Sequence, residues 1–254
     1  NGRFSATVAD HNGVDATTAK HGGRQLINLT SCATVDYSGG VFSVTGDSGN
    51  KPVANVTWYG AVMFCNWLTE MKDGNADNVV YNGIDTTWEH AETDADTAET
   101  GFRLPTSEEW QFAARYAGTT APAAGSLSAE YVAQGIRGSA SLTAGYYWTP
   151  GDYASGATAD NTNETETRAV SWYKTGAIGE MPEDVGLKVF NGLNIYDMSG
   201  NVWEWCFTQY NADNRVIMGG GINETASGMT IGDVTPLEPH TNFFSIGFRV
   251  AKNR

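Results

Sequence analysis

An α+β domain is the fold class this sequence predicts, and three observations predict it. Two capped amphipathic helices lie in the first half of the chain, at about 57–72 and from Thr106 to Ala117. Loops and short strands follow, with no further long periodic segment. Gly and Trp are both abundant, 30 and 8 in a chain of 254 residues, which suits turns at positive φ around an aromatic core. This length can bury a sizeable core, and residues 1–254 are read as a single domain.

Residues 1–50 are polar and Gly-rich, with short apolar runs at Gln25–Leu29 and Val41–Val44 that read as strands between turns. From Thr57 to Lys72 the spacing is helical: Thr57 is a good N-cap, Gly74 lies just past the end, and Ala61, Phe64, Cys65, Leu68 and Met71 make one apolar face. Cys65 is therefore expected inside, as an inert thiol. Residues 73–100 form an acidic insertion with Asp73, Asp77, Asp85, Glu89, Glu92, Asp94, Asp96 and Glu99, read as a solvated loop without EF-hand spacing. Pro105 precedes a second helix opened by T-S-E-E, a capping box of Thr106 and Glu109. Its buried stripe is Trp110, Ala113, Ala114 and Ala117, and Gly118 is expected to end it. Residues 119–195 hold many Gly, Ala, Ser and Thr; a loop region this long is often functional. In the tail, Val216–Met218 and Ser245–Ala251 have strand character.

The formal net charge is −14. That disfavours phosphate backbones and anionic lipid surfaces and leaves carboxylates available to cations. No run approaches a membrane span and no signal peptide is visible, although a start at Asn1 reads as a processed or trimmed form. The three cysteines, Cys32, Cys65 and Cys206, leave at least one thiol unpaired within a monomer and form no C-x-x-C zinc pattern. G-x-S-x-G, P-loop and dinucleotide signatures are absent.

Several segments in order resemble one family: P-V-A-N-V-T-W-Y-G-A-V-M-F-C-N-W-L (52–68), G-F-R-L-P-T-S-E-E-W-Q-F-A-A-R (101–115), A-V-S-W-Y (169–173), N-I-Y-D-M-S-G-N-V-W-E-W-C (194–206), R-V-I-M-G-G (215–220) and G-F-R-V (247–250). Across 52–250 the chain resembles the formylglycine-generating-enzyme-like (sulfatase-modifying factor) domain, while residues 1–51 match poorly. The resemblance implies a C-type-lectin-like fold with two helices, short strands and many loops. It also implies a structural calcium site in the Y-D-M-S-G-N-V-W-E-W segment, with carboxylate oxygens from Asp197 and Glu204 and carbonyls from Gly200 and Val202. The alternative is that Asp197 and Glu204 cap turns or pair with arginines. Trp203 and Trp205 are expected in the core.

The family's oxidase binds copper through two cysteines shortly after a G-G-S motif, thiolates being the ligands that copper(I) prefers. Here no cysteine follows Gly219-Gly220-Gly221, and Glu224 and Gly228 lie where thiols are expected. Neither copper nor iron is expected, and formylglycine-generating activity is not expected either. The competing reading is a non-haem metal-dependent oxidoreductase of the same family, for which His11, His21, His90 and His240 are the available histidines.

The C-terminal region, 215–250, keeps its frame in Arg215, Gly219, Gly220, Asn223, Pro239, Ile246, Gly247, Phe248 and Arg249, and between these the residues follow no clean period. This layout resembles the variable proteins of diversity-generating retroelements, which display a rewritten C-terminal patch on a C-type-lectin-like scaffold. Asn-codon rewriting can yield Ile, Asp, Thr, Leu, His, Phe and Ser, whereas Glu224, Met229 and Glu238 require other codons. The resemblance implies a receptor- or adhesin-like binding module for a protein or cell-surface ligand, located at the cell surface, secreted or on a virion. Its binding face is expected at Ile222, Glu224, Asp233, Thr235, Leu237, His240, Asn242, Phe243 and Phe244. Phe243 and Phe244 are neighbours, so an extended chain would point them opposite ways and leave one exposed.

Overall fold

In the computed structural model, helix α1 (Trp58–Asp73) starts where extended Thr57 accepts the Gly60 N–H on its hydroxyl. It stops at Gly74, whose φ of 84° returns its N–H to the Glu70 carbonyl. The described residues are 18–21, 24–32, 34–38, 41–46, 48–81, 99–120, 146–176 and 181–252. Most of the acidic insertion, His11 and His90 lie outside them.

Burial on α1 is wider than one amphipathic stripe: Trp58, Tyr59, Ala61, Val62, Met63, Cys65 and Trp67 are buried, whereas Met71 is exposed. The helix is flanked by strand β2 (Arg24–Asn28) and by β5 (Phe102–Arg103), so both sides of it are covered. β2 pairs with β1 (Thr18–His21), and β3 (Val35–Ser38) pairs with β4 (Val41–Val44). Thr57 fastens α1 to β2 by donating its N–H to the Leu26 carbonyl (3.0 Å) and its hydroxyl to the Gln25 carbonyl (2.6 Å).

Helix α2 (Ser107–Arg115) carries the reciprocal capping box between Thr106 and Glu109. It ends at Arg115, earlier than expected, because Tyr116 turns extended into β6 (Tyr116–Gly118), which pairs with β7 (Tyr147–Trp148). A third helix, α3 (Glu164–Val170), was not legible as a periodic segment. It has seven residues, two of them buried, and starts from the Asn163 side chain, which accepts the Glu166 N–H.

The main sheet has four strands in the order β10 (Thr235–Leu237), β9 (Arg215–Met218), β8 (Trp203–Gln209), β11 (Ile246–Phe248). Its pairs are antiparallel except β11 with β8, which is parallel. The tail strand expected over Ser245–Ala251 is broken. Phe248 pairs with Trp205 of β8, whereas Ala251, in β12 (Ala251–Lys252), pairs with Arg103 of β5, so the chain changes partners between them.

Alternation along β8 divides the interior. Trp205, with half-buried Trp203 beside it, joins the α1 core of Trp58, Val62, Leu104 and Ile217. Cys206 joins a second core of Trp110, Ala114, Met198, Val216, Met218 and Ile231. The layers are cross-tied: the Trp58 indole N–H donates to the Cys206 carbonyl (3.1 Å) and that of Trp205 to the Val56 carbonyl (3.0 Å).

Gly60 is where α1 comes closest to β2, and a Cβ there would lie 2.0 Å from the Leu26 carbonyl oxygen. Gly60→Ala is therefore expected to destabilise the fold by about 1–3 kcal/mol through backbone displacement, despite the better helix propensity of Ala. Urea denaturation checks this; an unchanged midpoint would show that the helix can lift off β2 at no cost.

Candidate functional site

The segment preceding β8 is a run of tight turns. Asn194, Asp197 and Asn201 adopt φ of 58°, 55° and 62°, and Gly200 adopts 79°. Only glycine suits position 200, because a Cβ would lie 2.2 Å from the Trp172 carbonyl oxygen. Asn201 closes a loop through both amide atoms, accepting the Glu183 N–H (2.9 Å) and donating to the Glu183 carbonyl (3.0 Å).

Glu204 is the electrostatic centre of this region. Its carboxylate accepts from Arg249 Nε and Nη2, each at 2.5 Å, and from the Trp110 indole N–H at 2.6 Å. Arg249 Nη2 also reaches the carbonyls of Tyr196 (3.3 Å) and Asp197 (3.1 Å). Burial by itself would lower the pKa of Arg249; the Glu204 carboxylate outweighs it and holds the guanidinium above its usual range.

The four residues expected around calcium therefore do not form a free donor set. Glu204 is spent on Arg249 and Trp110, as the arginine-pairing alternative anticipates. Asp197 accepts the Gly186 N–H on Oδ2 (2.7 Å), while its Oδ1 is buried without a hydrogen-bond partner. Burial chiefly raises the Asp197 pKa. Gly200 and Val202, three and five residues on, are buried. Among the described residues, no three His, Cys, Asp or Glu side chains converge to hold a metal.

The C-terminal candidates begin after β9. Gly219 and Gly220 take φ of 95° and 78°, and a Cβ on Gly220 would lie 2.2 Å from the Gly228 carbonyl oxygen, so the loop folds tightly back on itself. Ile222 donates its N–H to the Asn201 carbonyl and is 2 % exposed. This corrects its placement on the binding face, since its side chain belongs to the interior. Glu224 is half-buried, with its carbonyl accepting the Lys174 N–H. Asp233 is exposed and accepts the Thr230 hydroxyl (2.6 Å). Thr235 and Leu237 lie on edge strand β10, half-buried, with Leu237 against the α1 core.

The chain then crosses from β10 to β11 at the far side of the sheet. Two backbone hydrogen bonds hold the crossing: Trp58 N–H to the Pro239 carbonyl (3.0 Å) and Asn55 N–H to the Phe243 carbonyl (2.9 Å). His240 is exposed and 3.1 Å from Glu238. Asn242 and Phe244 are half-buried and Phe243 is 50 % exposed. The two phenylalanine rings do not point apart. Their centroids are 4.8 Å apart, because the Ile246 N–H bonds back to the Phe243 carbonyl and the chain turns here instead of extending. Gly221 abuts both Trp203 and Ser245, the residue that follows the phenylalanine pair.

Among the described residues, Cys32, Cys65 and Cys206 form no pair. Glu224 and Gly228 pack on each other where thiols were expected. Cys65 and Cys206 are fully buried, and burial raises both thiols well above their usual range.

Two features escaped the sequence reading. A cavity of about 860 Å³ has walls that include Val53, Phe64, Trp67 and Phe248, with Asp197 and Arg249 among its polar groups. Val185 and Tyr196 on its wall are exposed apolar residues, as are Leu187, Val189, Phe190 and Leu193 between them in the chain, and these make up an apolar strip. The signal available for the strip was the absence of any Asp or Glu over 185–196.

A family model, the sulfatase-modifying factor enzyme 1-like domain, matches residues 1–254 and so takes in the first 51 residues. Curated relatives align with this chain, among them the following three. "Chaperone protein LppX" of Paenibacillus barcinonensis is 27 % identical over 195 residues, 67 % of this chain and 59 % of its own. The formylglycine-generating enzyme of Mycobacterium tuberculosis (strain ATCC 25618 / H37Rv) is 30 % identical over 46 % of this chain and 30 % of its own. Inactive C-alpha-formylglycine-generating enzyme 2 of Bos taurus is 30 % identical over 50 % and 35 %. The matches thus span about three fifths of the first relative and about a third of the other two. Among solved structures, Treponema denticola variable protein 1 superposes with a TM-score of 0.55 at 24 % identity, over 83 % of this chain and 74 % of its own. CarF superposes at 0.55 and 19 % identity over 100 % and 81 %. These likenesses establish the fold, a C-type-lectin-like α+β architecture of the formylglycine-generating-enzyme type.

Arg249→Met leaves Glu204 buried without its cation, and a loss of about 3–5 kcal/mol in unfolding free energy is expected. Pairing it with Glu204→Leu is expected to restore part of that loss. If the double variant is no more stable than Arg249→Met alone, the pair is not the organising interaction.

Proposed function

The chain belongs to the sulfatase-modifying factor enzyme 1-like domain family, and from that premise we propose that it is a ligand-binding variable protein of a diversity-generating retroelement, not an enzyme. The observation that carries this reading is the exposed Phe243 ring, paired with Phe244 and pinned to the frame by the Asn55 and Trp58 backbone bonds. An aromatic anchor on a rigid frame, next to adaptable polar residues, is how binding faces gain affinity. Glu224 and Gly228 at the expected thiol positions, and the buried state of Cys65 and Cys206, support a non-catalytic role. A relative whose name describes an inactive enzyme, and a structural neighbour named as a variable protein, support it as well.

The proposed ligand is a protein or cell-surface group, and the proposed setting is the cell surface, a secreted form or a virion. Among the described residues no helix is long and apolar enough to cross a membrane. The proposed face consists of Glu224, Asp233, Thr235, Leu237, His240, Asn242, Phe243 and Phe244, without Ile222.

Deep sequencing of the gene's 3′ end in its source population is the test. Substitutions are expected to concentrate at these face positions. Gly219, Gly220, Gly247, Phe248 and Arg249 are expected to stay fixed, and position 222 to stay apolar. A segment at 222–245 as invariant as α1 would overturn the reading.

Calcium at the turn before β8 is also proposed, with Asp197 as its one carboxylate donor and the carbonyls of Gly200 and Val202 beside it. The orphaned Asp197 Oδ1 supports this. Calcium is expected to raise the melting temperature over that in EDTA, and Asp197→Asn to abolish the rise. Superimposable melting curves would leave the Glu204–Arg249 pair as the organiser of the segment and remove calcium.

A further inference from the structure

Resting on that reading of the C-terminal face, we infer that its ligand is a basic protein segment held through arginine side chains. The first ground is charge. Residues 216–248 contain no Lys or Arg but include Glu224, Asp233 and Glu238. Asp233 and Glu238 are exposed and Glu224 is half-buried.

The cations bounding this stretch are turned inward. The Arg215 guanidinium lies over the Trp58 ring at 4.1 Å and donates to the Phe207 carbonyl at 2.8 Å, and Arg249 is bound to Glu204. Lys174, half-buried, meets the segment through its backbone N–H at the Glu224 carbonyl. His240 Nε2 lies 3.1 Å from a Glu238 carboxylate oxygen at the surface.

The second ground is the aromatic pair. Phe243 is half exposed and Phe244 backs it at 4.8 Å, so a flat ring is presented with no hydroxyl or N–H of its own. A planar guanidinium can lie flat on such a ring while its in-plane N–H groups reach a carboxylate at the ring's edge, whereas an ammonium is a point charge that cannot stack as a plane. Glu238 and Phe243 stand on the same short crossing, fixed at Pro239 and Phe243 to the frame. The chain's net charge of −14 adds a field that draws a basic partner in from a distance.

Fluorescence anisotropy with labelled peptides of about ten residues tests this, using arginine-rich, lysine-rich and glutamate-rich probes of equal charge magnitude. The arginine probe is expected to bind more tightly than the lysine probe, and roughly tenfold more weakly in about 0.5 M than in about 0.05 M NaCl. Phe243→Ala is expected to erase the arginine-over-lysine preference. Glu238→Gln and Asp233→Asn are each expected to weaken the arginine probe by roughly threefold. Asp77→Asn, an exposed site beyond the far end of α1, is expected to change nothing. An equal loss from Asp77→Asn, or an arginine preference that survives Phe243→Ala, would reduce the effect to bulk charge and overturn the inference. Those outcomes leave the binding-face reading to the population sequencing, which fails or succeeds independently.

Discussion

The Glu204–Arg249 pair is the constraint on which the remaining architecture depends. Glu204 sits in the middle of the W-E-W triplet, where strand alternation sends its side chain away from the tryptophans and toward α2. There it meets both the Trp110 indole and the guanidinium of the residue that follows β11. One carboxylate thus ties a central strand, a helix and the last turn of the domain together. Because Arg249 also bonds the Tyr196 and Asp197 carbonyls, the turn segment before β8 is drawn into the same node. A buried charge pair gains little over an apolar substitute, but it tolerates few alternative arrangements. Its role here is to fix geometry, while the stability comes from the two apolar cores on either side of β8.

That geometry separates frame from display. The node lies on the α2 side of β8, whereas the crossing at 238–244 is pinned on the α1 side by Asn55 and Trp58. Both pins use backbone N–H and carbonyl groups. They persist whatever side chains occupy the crossing, so its residues can change while its path does not. Thr57 reinforces this by fastening the start of α1 to β2, immediately beside the pins. Helix capping, usually a local matter, here also holds the rim of the candidate site.

What was legible in the sequence follows from which interactions are local. Both long helices could be read because their caps lie within a few residues of the turns they close: Thr57 with Gly60, Thr106 with Glu109, Gly74 with Glu70. The pairing of Glu204 with an arginine was one of two open readings, since sequence offered both carboxylate and arginine but not their meeting across 45 residues. Helix α3 was missed because seven residues with two buried positions carry no detectable period. The burial of Ile222 was missed because its fate is set by the Gly219–Gly221 turns and the Asn201 carbonyl, not by its neighbours. Of the phenylalanine pair, the exposure of one ring was legible, but not the rings' mutual contact, because period-2 reasoning assumes an extended chain and the turn closed by Ile246 is not one.

The positions where the family's thiols would stand and the proposed binding face are joined by the same loop. Between Gly220 and Gly228 the chain makes so tight a reversal that a Cβ on Gly220 would strike the Gly228 carbonyl, and one on Gly228 would meet Glu224 Cβ at 2.8 Å. In the family's oxidase this is where two sulfurs must approach a metal. Here a carboxylate-bearing chain packs over a glycine. On the proposed reading, the positions beyond the reversal carry no demand for particular metal ligands. They answer only to exposure, as at Asp233 and Phe243, or to packing, as at Ile222. A segment split in this way, with inward residues held and outward ones free, satisfies the physical requirement for a surface that can be rewritten without unfolding the domain that carries it.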